Sequence, residues 1–165
     1  QFRLKSNFLA HYRHTGPEIL RQAGEPIHGF CDFAGTGGSF AGVSRALKEQ
    51  DPSIMCFLVE PQGAAVLAGN EPVNPGHRLQ GGGYAMPDLP LLDPGLADGF
   101  IQVSDEDAIK TARRLAREEG IFAGFSSGAN VAAALRLLAG PLRGQTVVVL
   151  LNDSGLKYLS TDLWE

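Results

Sequence analysis

Short apolar segments alternate with amphipathic ones along most of this chain. Apolar runs bounded by Gly, Pro or charged residues predict strands at 27–34, 54–59, 100–103, 121–125 and 146–151. Helical spacing of apolar positions predicts helices at 11–23, 38–50, 104–119, 127–139 and 155–164, and a short one at 64–68. Strands that are apolar on both faces and alternate with helices form parallel sheets covered on both sides. The pattern therefore predicts a single α/β domain spanning residues 1–165, with a parallel sheet and helices on both faces.

The stretch from residue 69 to residue 99 breaks this alternation and is rich in Gly, Pro and Asn. An irregular stretch of that length in a compact domain is usually functional, mobile or in contact with a partner. Elsewhere the helix boundaries are marked clearly, because Gly24 and Gly120 follow predicted helices and Ser104 begins one as its N-cap. Parallel sheets bind ligands beyond the carboxyl ends of their strands, so the strand-to-helix junctions are the places to look for a site.

Composition excludes several classes of function. Hydrophobic residues make up 44% and charged residues 19% of the chain, as in ordinary globular domains. The net charge of -4 argues against a nucleic-acid partner, and no apolar run is long enough to span a membrane. The printed sequence begins at Gln1, without Met or a recognisable signal peptide. We therefore expect a processed or truncated N-terminus and a cytoplasmic location, with an organelle as the alternative.

The two cysteines, Cys31 and Cys56, both lie inside predicted strands. Their number and spacing fit neither a disulfide framework nor a zinc site, so we expect buried free thiols in a reducing compartment. The four histidines likewise lack metal-ligand spacing, and no metal site is predicted.

The clearest candidate for binding chemistry is the segment Gly35-Thr36-Gly37-Gly38-Ser39, between a predicted strand and a predicted helix. Glycines let successive backbone N–H groups converge on an anion, and the helix dipole adds positive potential. The segment carries no lysine, so it is not a nucleotide P-loop. A dinucleotide site is one alternative, since Glu60 ends the next strand, but Phe40 stands where the third glycine of that fingerprint belongs. A merely structural turn is the other alternative.

Several motifs of this chain, in this order, resemble the cysteine synthase and cystathionine β-synthase family of fold-type II pyridoxal-phosphate (PLP) enzymes. They are His11 to Ile19, the glycine segment at 35–39, Val59-Glu60-Pro61, His77 to Tyr84, Gly124-Phe125-Ser126-Ser127-Gly128-Ala129 and Tyr158-Leu159-Ser160-Thr161. The resemblance covers nearly the whole chain but only the C-terminal half of the family, and it implies that family's larger C-terminal domain.

The family's other half carries a Ser-x-Lys segment, whose lysine forms the Schiff base with PLP, and a Thr-Ser-Gly-Asn substrate loop. Neither has a counterpart among these residues, and Lys5, Lys48, Lys110 and Lys157 lie in other contexts. The resemblance therefore implies no catalytic lysine within this chain, and we expect these 165 residues to be inactive alone.

The resemblance also implies PLP as the cofactor. Gly35, Thr36, Gly37, Gly38 and Ser39 would bind its phosphate, and Ser154 would bond the pyridine nitrogen. A neutral hydroxyl there does not enforce ring protonation as an aspartate would. The alternative role of Ser154 is a helix N-cap before Gly155. Ser126 and Ser127 have a similar alternative, as caps of the helix that follows them.

The implied activity is a β-replacement in which an activated serine and a sulfur nucleophile give cysteine or a related amino acid. The implied partners are these small molecules and a second copy of the full-length enzyme. A non-catalytic binding or regulatory fragment and a cystathionine β-synthase-like lyase are the alternatives. Two departures from the family pattern bear on substrate choice: Asn152 replaces a usual proline, and Gly81-Gly82-Gly83 replaces Gly-Ile-Gly.

Overall fold

Four parallel strands form the sheet of this domain: β1 (Gly29–Phe33), β2 (Met55–Pro61), β3 (Gly99–Val103) and β4 (Val147–Val149). The computed structural model, which describes all 165 residues, arranges them in the order β3-β2-β1-β4. Strand β1 is central, with Phe33 opposite Val59 on β2 and Cys31 opposite Val149 on β4. The predicted α/β fold with a parallel sheet is confirmed.

Most of the chain's helices lie between these strands. The chain begins with a continuous helical stretch made of α1 (Lys5–Ala10), a π-helical turn (His11–Thr15) and α2 (Gly16–Gln22). The other helices are α3 (Gly38–Gln50), α4 (Asp105–Glu118) and α5 (Phe125–Ala139), and there are two 3-10 turns, Pro94–Leu96 and Gly155–Tyr158. The first helix thus begins six residues before its predicted start at residue 11.

Helices cover both faces of the sheet. Because side chains alternate across each strand, neighbouring residues of β1 pack against different helices. On one face Cys31 and Phe33 pack in a core with α4 and α5. On the other face Phe30 packs against Phe40 of α3, with Phe8 and Ile19 of the N-terminal helices at the edge of that core. The continuously apolar strand pattern reflects this two-sided burial.

The N-terminal helices approach α3 closely because small residues line the contact. A Cβ atom added to Gly42 would lie 2.6 Å from the backbone oxygen of Phe8, and one added to Gly16 would lie 2.4 Å from the Cβ of Ala46. Closer to the start of α3, a Cβ on Gly38 would lie 2.6 Å from the Cγ of Asn7. This packing carries α1 to the first turn of α3, where the glycine segment ends.

Three further sequence predictions differ from the structure. Residues 121–125 form no strand of the sheet: Ala123 makes one antiparallel bridge to Ser154, and α5 begins at Phe125. Residues 64–68 form no helix, and a turn at residues 66–69 takes the place of the predicted one. The predicted helix at 155–164 is a single 3-10 turn followed by irregular chain.

Both cysteines are buried free thiols, as predicted. Desolvation raises the pKa of the Cys31 thiol to about 12, so it stays protonated. No helix combines the length and apolar character that crossing a bilayer requires.

Candidate functional site

A cleft opens beyond the carboxyl ends of β1 and β4, where parallel sheets bind ligands. It has a volume of about 510 Å³. Its lining comes from the N-terminal helices, the glycine segment, the first turn of α5 and the chain after β4: Gln1, Asn7, His11, Thr15, Phe33, Gly35, Thr36, Ser39, Gly81, Ser126, Leu150, Leu151, Asn152, Asp153 and Lys157. The structure thus brings three of the predicted site residues, Gly35, Thr36 and Ser39, into one cleft.

The glycine segment turns the chain from β1 into α3. Gly37 is the N-cap and has a φ of 80°, a left-handed conformation that favours glycine. The N–H of Gly38 donates to the Thr36 Oγ1 across 3.2 Å. The N–H groups of Gly35, Gly37 and Ser39 have no acceptor within the chain. Unpaired N–H groups at the start of a 13-residue helix give this segment the potential to bind an anion.

Asn7 of α1 is a cleft residue that the sequence analysis missed. Its Nδ2 donates a hydrogen bond of 2.9 Å to the Thr36 Oγ1, which connects the N-terminal helix to the glycine segment. Thr36 therefore accepts from both Asn7 and Gly38, which fixes its hydroxyl oxygen while leaving its proton free to donate. No local motif marks Asn7, because it lies 29 residues from Thr36.

A second residue missed from sequence is Asp32, a fully buried carboxyl group on β1. Its Oδ2 accepts a hydrogen bond of 2.5 Å from the Ser39 Oγ, and its Oδ1 accepts bonds of 3.3 Å from the Nδ2 atoms of Asn130 and Asn152. Desolvation raises the pKa of Asp32 to about 6, although the hydrogen bonds from Ser39, Asn152 and Asn130 act in the opposite direction. The signal in the sequence is a carboxylate inside an otherwise apolar strand, three residues before the first glycine of the segment.

Asn152, one of the two departures noted from sequence, belongs to this buried cluster. Its backbone N–H donates to the Ser127 Oγ across 3.1 Å, and its Oδ1 accepts from the Asn130 Nδ2 across 3.2 Å. A proline at this position has no N–H to donate and no amide to reach Asp32. The residue therefore connects α5 and the end of β4 to the base of the glycine segment.

Ser154 caps the Gly155–Tyr158 turn, as one of its two predicted roles requires. Its Oγ accepts from the Leu156 N–H across 3.2 Å, and the residue is exposed just outside the cleft lining. Because the Oγ is the acceptor in that bond, the hydroxyl proton remains free for another partner. The capping role expected of Ser126 and Ser127 is wrong: α5 begins at Phe125 with Gly124 as N-cap and no side-chain cap.

Gly124 is held close to the cleft by its neighbours. A Cβ on this residue would lie 2.2 Å from the Oδ1 of Asp153 and 2.4 Å from the ring of Tyr158. The Asp153 Oδ2 accepts from the Tyr158 hydroxyl at 2.6 Å and the Lys157 Nζ at 3.0 Å. Lys157 is the only lysine that lines the cleft, and it is paired with Asp153.

The segment from Gly81 to Gly83 packs directly on the end of β1. The N–H of Gly83 donates to the Ala34 backbone oxygen across 2.8 Å, and a Cβ on Gly82 would lie 2.5 Å from the same oxygen. On the other side, the Nε2 of His77 lies 2.8 Å from the Gly83 oxygen. Close backbone approach thus requires glycine at position 82, and Gly81 and Gly83 have left-handed φ angles of 96° and 67° that favour glycine. No group of His, Cys, Asp and Glu side chains is arranged to hold a metal ion.

Comparison with known proteins gives consistent matches over the whole chain. Residues 1–153 match the protein family described as "Pyridoxal-phosphate dependent enzyme". A "Probable cysteine synthase" of Bacillus subtilis (strain 168) is 43% identical over 169 residues, covering 99% of this chain and 53% of that protein. The fold is shared with O-Acetyl Serine Sulfhydrylase isoform 3 from Entamoeba histolytica, with a TM-score of 0.93, 32% identity, and coverage of 99% of this chain and 48% of that one. It is also shared with an O-ureido-L-serine synthase, with a TM-score of 0.89, 37% identity, and coverage of 98% and 51%.

The chain spans about half the length of the curated relatives it matches, 53% for the Bacillus protein and 52% for a "Cysteine synthase" of Staphylococcus aureus (strain Mu50).

Proposed function

Because the chain belongs to the pyridoxal-phosphate dependent enzymes, in the branch of the cysteine synthases, we propose that it forms the phosphate-binding half of an enzyme catalysing β-replacement. The observation that carries this proposal is the glycine segment, where the N–H groups of Gly35, Gly37 and Ser39 have no acceptor in the chain. Gly35 and Ser39 also line the cleft. Three such donors at a helix N-terminus suit the three terminal oxygens of a phosphate monoester.

The fit of PLP to this cleft is favoured by the rest of its lining. The Thr36 hydroxyl keeps a free proton for a phosphate oxygen, since its own oxygen already accepts from Asn7 and Gly38. Gly38 contributes by allowing Asn7 to approach, and Ser39 contributes its N–H. Space beside Gly35 is limited, because a Cβ added to this residue would lie 3.3 Å from the Gly81 backbone oxygen.

We assign the pyridine nitrogen of the cofactor to Ser154. Its hydroxyl proton is free, because the Oγ accepts from Leu156, and a hydroxyl donor suits an unprotonated ring nitrogen. PLP supplies an electron sink when bound, and a neutral partner at the ring nitrogen leaves that sink weaker than a carboxylate would. Such tuning favours loss of a substituent from the β-carbon of serine derivatives over transamination.

The remaining parts of the proposed enzyme lie outside these residues. None of the four lysines has a Ser-x-Lys context, so we place the cofactor-linking lysine in a segment beyond this chain. The proposed substrates are an activated serine, such as O-acetylserine, and a sulfur nucleophile. We propose a homodimer for the complete enzyme, and a reducing compartment, which suits two buried free thiols.

The experiment loads the full-length protein with PLP and supplies O-acetyl-L-serine and sulfide. The proposal expects cysteine as the product, and no cysteine from protein depleted of PLP. Thr36→Val should also weaken retention of PLP, because it removes the hydroxyl that orders the glycine segment. Thr146→Val is the matched control, since the side chain of Thr146 makes no hydrogen bond and lies outside the cleft. If the protein retains PLP but forms no cysteine, the cofactor assignment holds and the proposed β-replacement activity is contradicted. Equal PLP retention by Thr36→Val and Thr146→Val would contradict the role of Thr36.

A further inference from the structure

Four polar side chains from four different segments meet beneath the glycine segment: Asp32 of β1, Ser39 of α3, Asn130 of α5 and Asn152 beyond β4. Asp32 is fully buried and forms no ion pair, so no positive charge compensates it when it is ionised. A buried, uncompensated carboxylate directly behind a proposed phosphate site carries a cost, which indicates a role beyond packing.

The role follows from the single proton of the Ser39 hydroxyl. That proton is donated to Asp32 across 2.5 Å, so Ser39 offers only lone pairs to any other partner while Asp32 is ionised. Lone pairs repel the oxygens of a phosphate. When Asp32 carries a proton, the hydrogen bond can reverse, with Asp32 donating to the Ser39 Oγ. The Ser39 proton is then free to donate to a phosphate oxygen.

Electrostatic repulsion also favours protonation of Asp32 when a phosphate binds. A dianionic phosphate on the glycine segment and an ionised Asp32 behind it are like charges in a poorly solvated region, and each disfavours the other. Protonating Asp32 removes this repulsion and supplies the extra donor together. Desolvation already raises the pKa of Asp32 to about 6, so little further shift is needed for protonation near neutral pH.

We propose that Asp32 is a positioning residue that sets the direction of the Ser39 hydroxyl, so that binding of a phosphate group by the glycine segment takes up one proton onto Asp32. This inference rests on the proposed phosphate-binding function and specifies how that site is regulated by pH. The proton comes from solvent and remains on the Asp32 carboxyl group for as long as the phosphate is bound.

Other ionisable groups near the cluster are few. On β1 the Cys31 thiol stays neutral, because burial raises its pKa to about 12. On β2 the Glu60 carboxylate accepts from the N–H groups of Leu67 and Ala68 and makes no bond to Asp32. The ionisable side chains that line the cleft are His11, Asp153 and Lys157.

The charged residues of α3 and α5 pair elsewhere: Lys48 with Asp98, Arg45 with Asp93, and Arg136 with Asp107. Lys157 is paired with Asp153, four residues earlier on the same segment. Burial lowers the pKa of His11, and protonation of this side chain in acid would also favour an anion in the cleft. A variant at Asp32 must therefore be compared with the wild type at each pH, so that the contribution of His11 cancels.

The test is calorimetric titration of inorganic sulfate into the full-length protein prepared without cofactor. Sulfate mimics the phosphate group but keeps its charge over the pH range used, so only the protein titrates. For the wild type we expect sulfate affinity to fall about tenfold between about pH 5.5 and about pH 7.5, with nearly one proton taken up per sulfate at the higher pH. Proton uptake is measured by repeating the titration in buffers of different ionisation enthalpy.

Asp32→Asn is the decisive variant, because its amide can donate permanently to the Ser39 Oγ as a protonated Asp32 would. We expect this variant to bind sulfate at neutral pH about as tightly as the wild type does in acid, with most of the pH dependence and proton uptake gone. A slope equal to the wild-type slope, or weak binding at every pH by folded Asp32→Asn, would overturn the proposal.

Ser39→Ala decides the matter if Asp32→Asn does not fold. Without the hydroxyl, the acid-side gain in sulfate affinity should shrink to the part that comes from charge, and an unchanged gain would overturn the proposal. Inorganic phosphate, titrated in parallel, should show the same difference between wild type and variant. Failure of the wild type to bind sulfate and phosphate at any pH would instead refute the phosphate site itself, and this inference with it.

Discussion

The Asn7 amide donates a 2.9 Å hydrogen bond to the Thr36 hydroxyl oxygen, and so connects the first helix of the chain to the glycine segment. Close packing makes this bond possible, since a Cβ on Gly38 would lie 2.6 Å from the Cγ of Asn7. The geometry of the candidate phosphate site therefore depends on a residue far from it in sequence.

Replacing Asn7 by Ala should weaken PLP binding to the full-length protein about fivefold, because one hydrogen bond that orders Thr36 is worth about 1 kcal/mol. The measurement is titration of the cofactor-free protein with PLP, followed by absorbance. Gln22→Ala, at an exposed position on α2, is the control and should leave the affinity unchanged. Equal affinities for Asn7→Ala and the control would show that Thr36 needs no such support.

Gly37→Ala should reduce PLP binding and stability together. Gly37 has a φ of 80°, and an added Cβ would lie 3.0 Å from the Cβ of Leu92. Gly24→Ala is a matched control, because Gly24 has a φ of 68° with no atom within 4 Å of an added Cβ. Both variants should lose about 1 kcal/mol of unfolding free energy from left-handed strain, measured by urea denaturation. Only Gly37→Ala should also weaken PLP binding, and a similar effect of both on binding would contradict a local role for the turn.

Asp32→Asn should change how stability depends on pH. Desolvation raises the folded-state pKa of Asp32 from 3.8 to about 6, so the folded state disfavours the ionised carboxylate. The contribution of this group to stability is present below its unfolded pKa and is lost as pH rises through about 6. Asn does not titrate, so the free energy of unfolding of the variant minus that of the wild type should increase by about 1–3 kcal/mol from about pH 4 to about pH 8.

The measurement is denaturant unfolding of both proteins at a series of pH values. Asp88→Asn, at an exposed position, serves as the control and should show no comparable change. A difference between Asp32→Asn and wild type that stays constant with pH would mean that Asp32 has an ordinary pKa in the folded protein.

Ser154→Asp should alter the visible absorption spectrum of bound PLP and slow β-replacement, whereas Ser154→Ala should do much less. A carboxylate beside the ring nitrogen favours its protonation, because an opposite charge stabilises the charged form. Removing the hydroxyl only breaks neutral hydrogen bonds, each worth about 1 kcal/mol. If the two variants have the same spectrum and rate, or if the Asp variant simply loses PLP, Ser154 is an N-cap and nothing more.

Regular elements with clear boundary residues could be predicted from the sequence alone. Helix α3 was predicted at its observed bounds, because glycines precede it and Asp51-Pro52 follows it. The strand predicted at 121–125 is wrong because the apolar residues of this segment pack in other elements. Phe122 packs against Trp164, and Phe125 belongs to the first turn of α5. Periodicity cannot separate these contacts from those of a short buried strand.

The candidate site was predictable only in part, for a physical reason. The residues of the glycine segment are consecutive in the sequence, so their pattern alone indicates an anion-binding turn. Asn7 and Asp32 act through partners 29 and up to 120 positions away, and only the packing of α1 on α3 and the meeting of β1, α5 and the chain beyond β4 create their roles.

The position of the phosphate in a crystal structure of the full-length protein with PLP tests the central claim most directly. The account predicts phosphate oxygens within hydrogen-bonding distance of the N–H groups of Gly35, Gly37 and Ser39. A phosphate bound elsewhere, for example in the charged cleft lined by Arg78, Lys110 and Arg113, with the glycine segment unused, would contradict it.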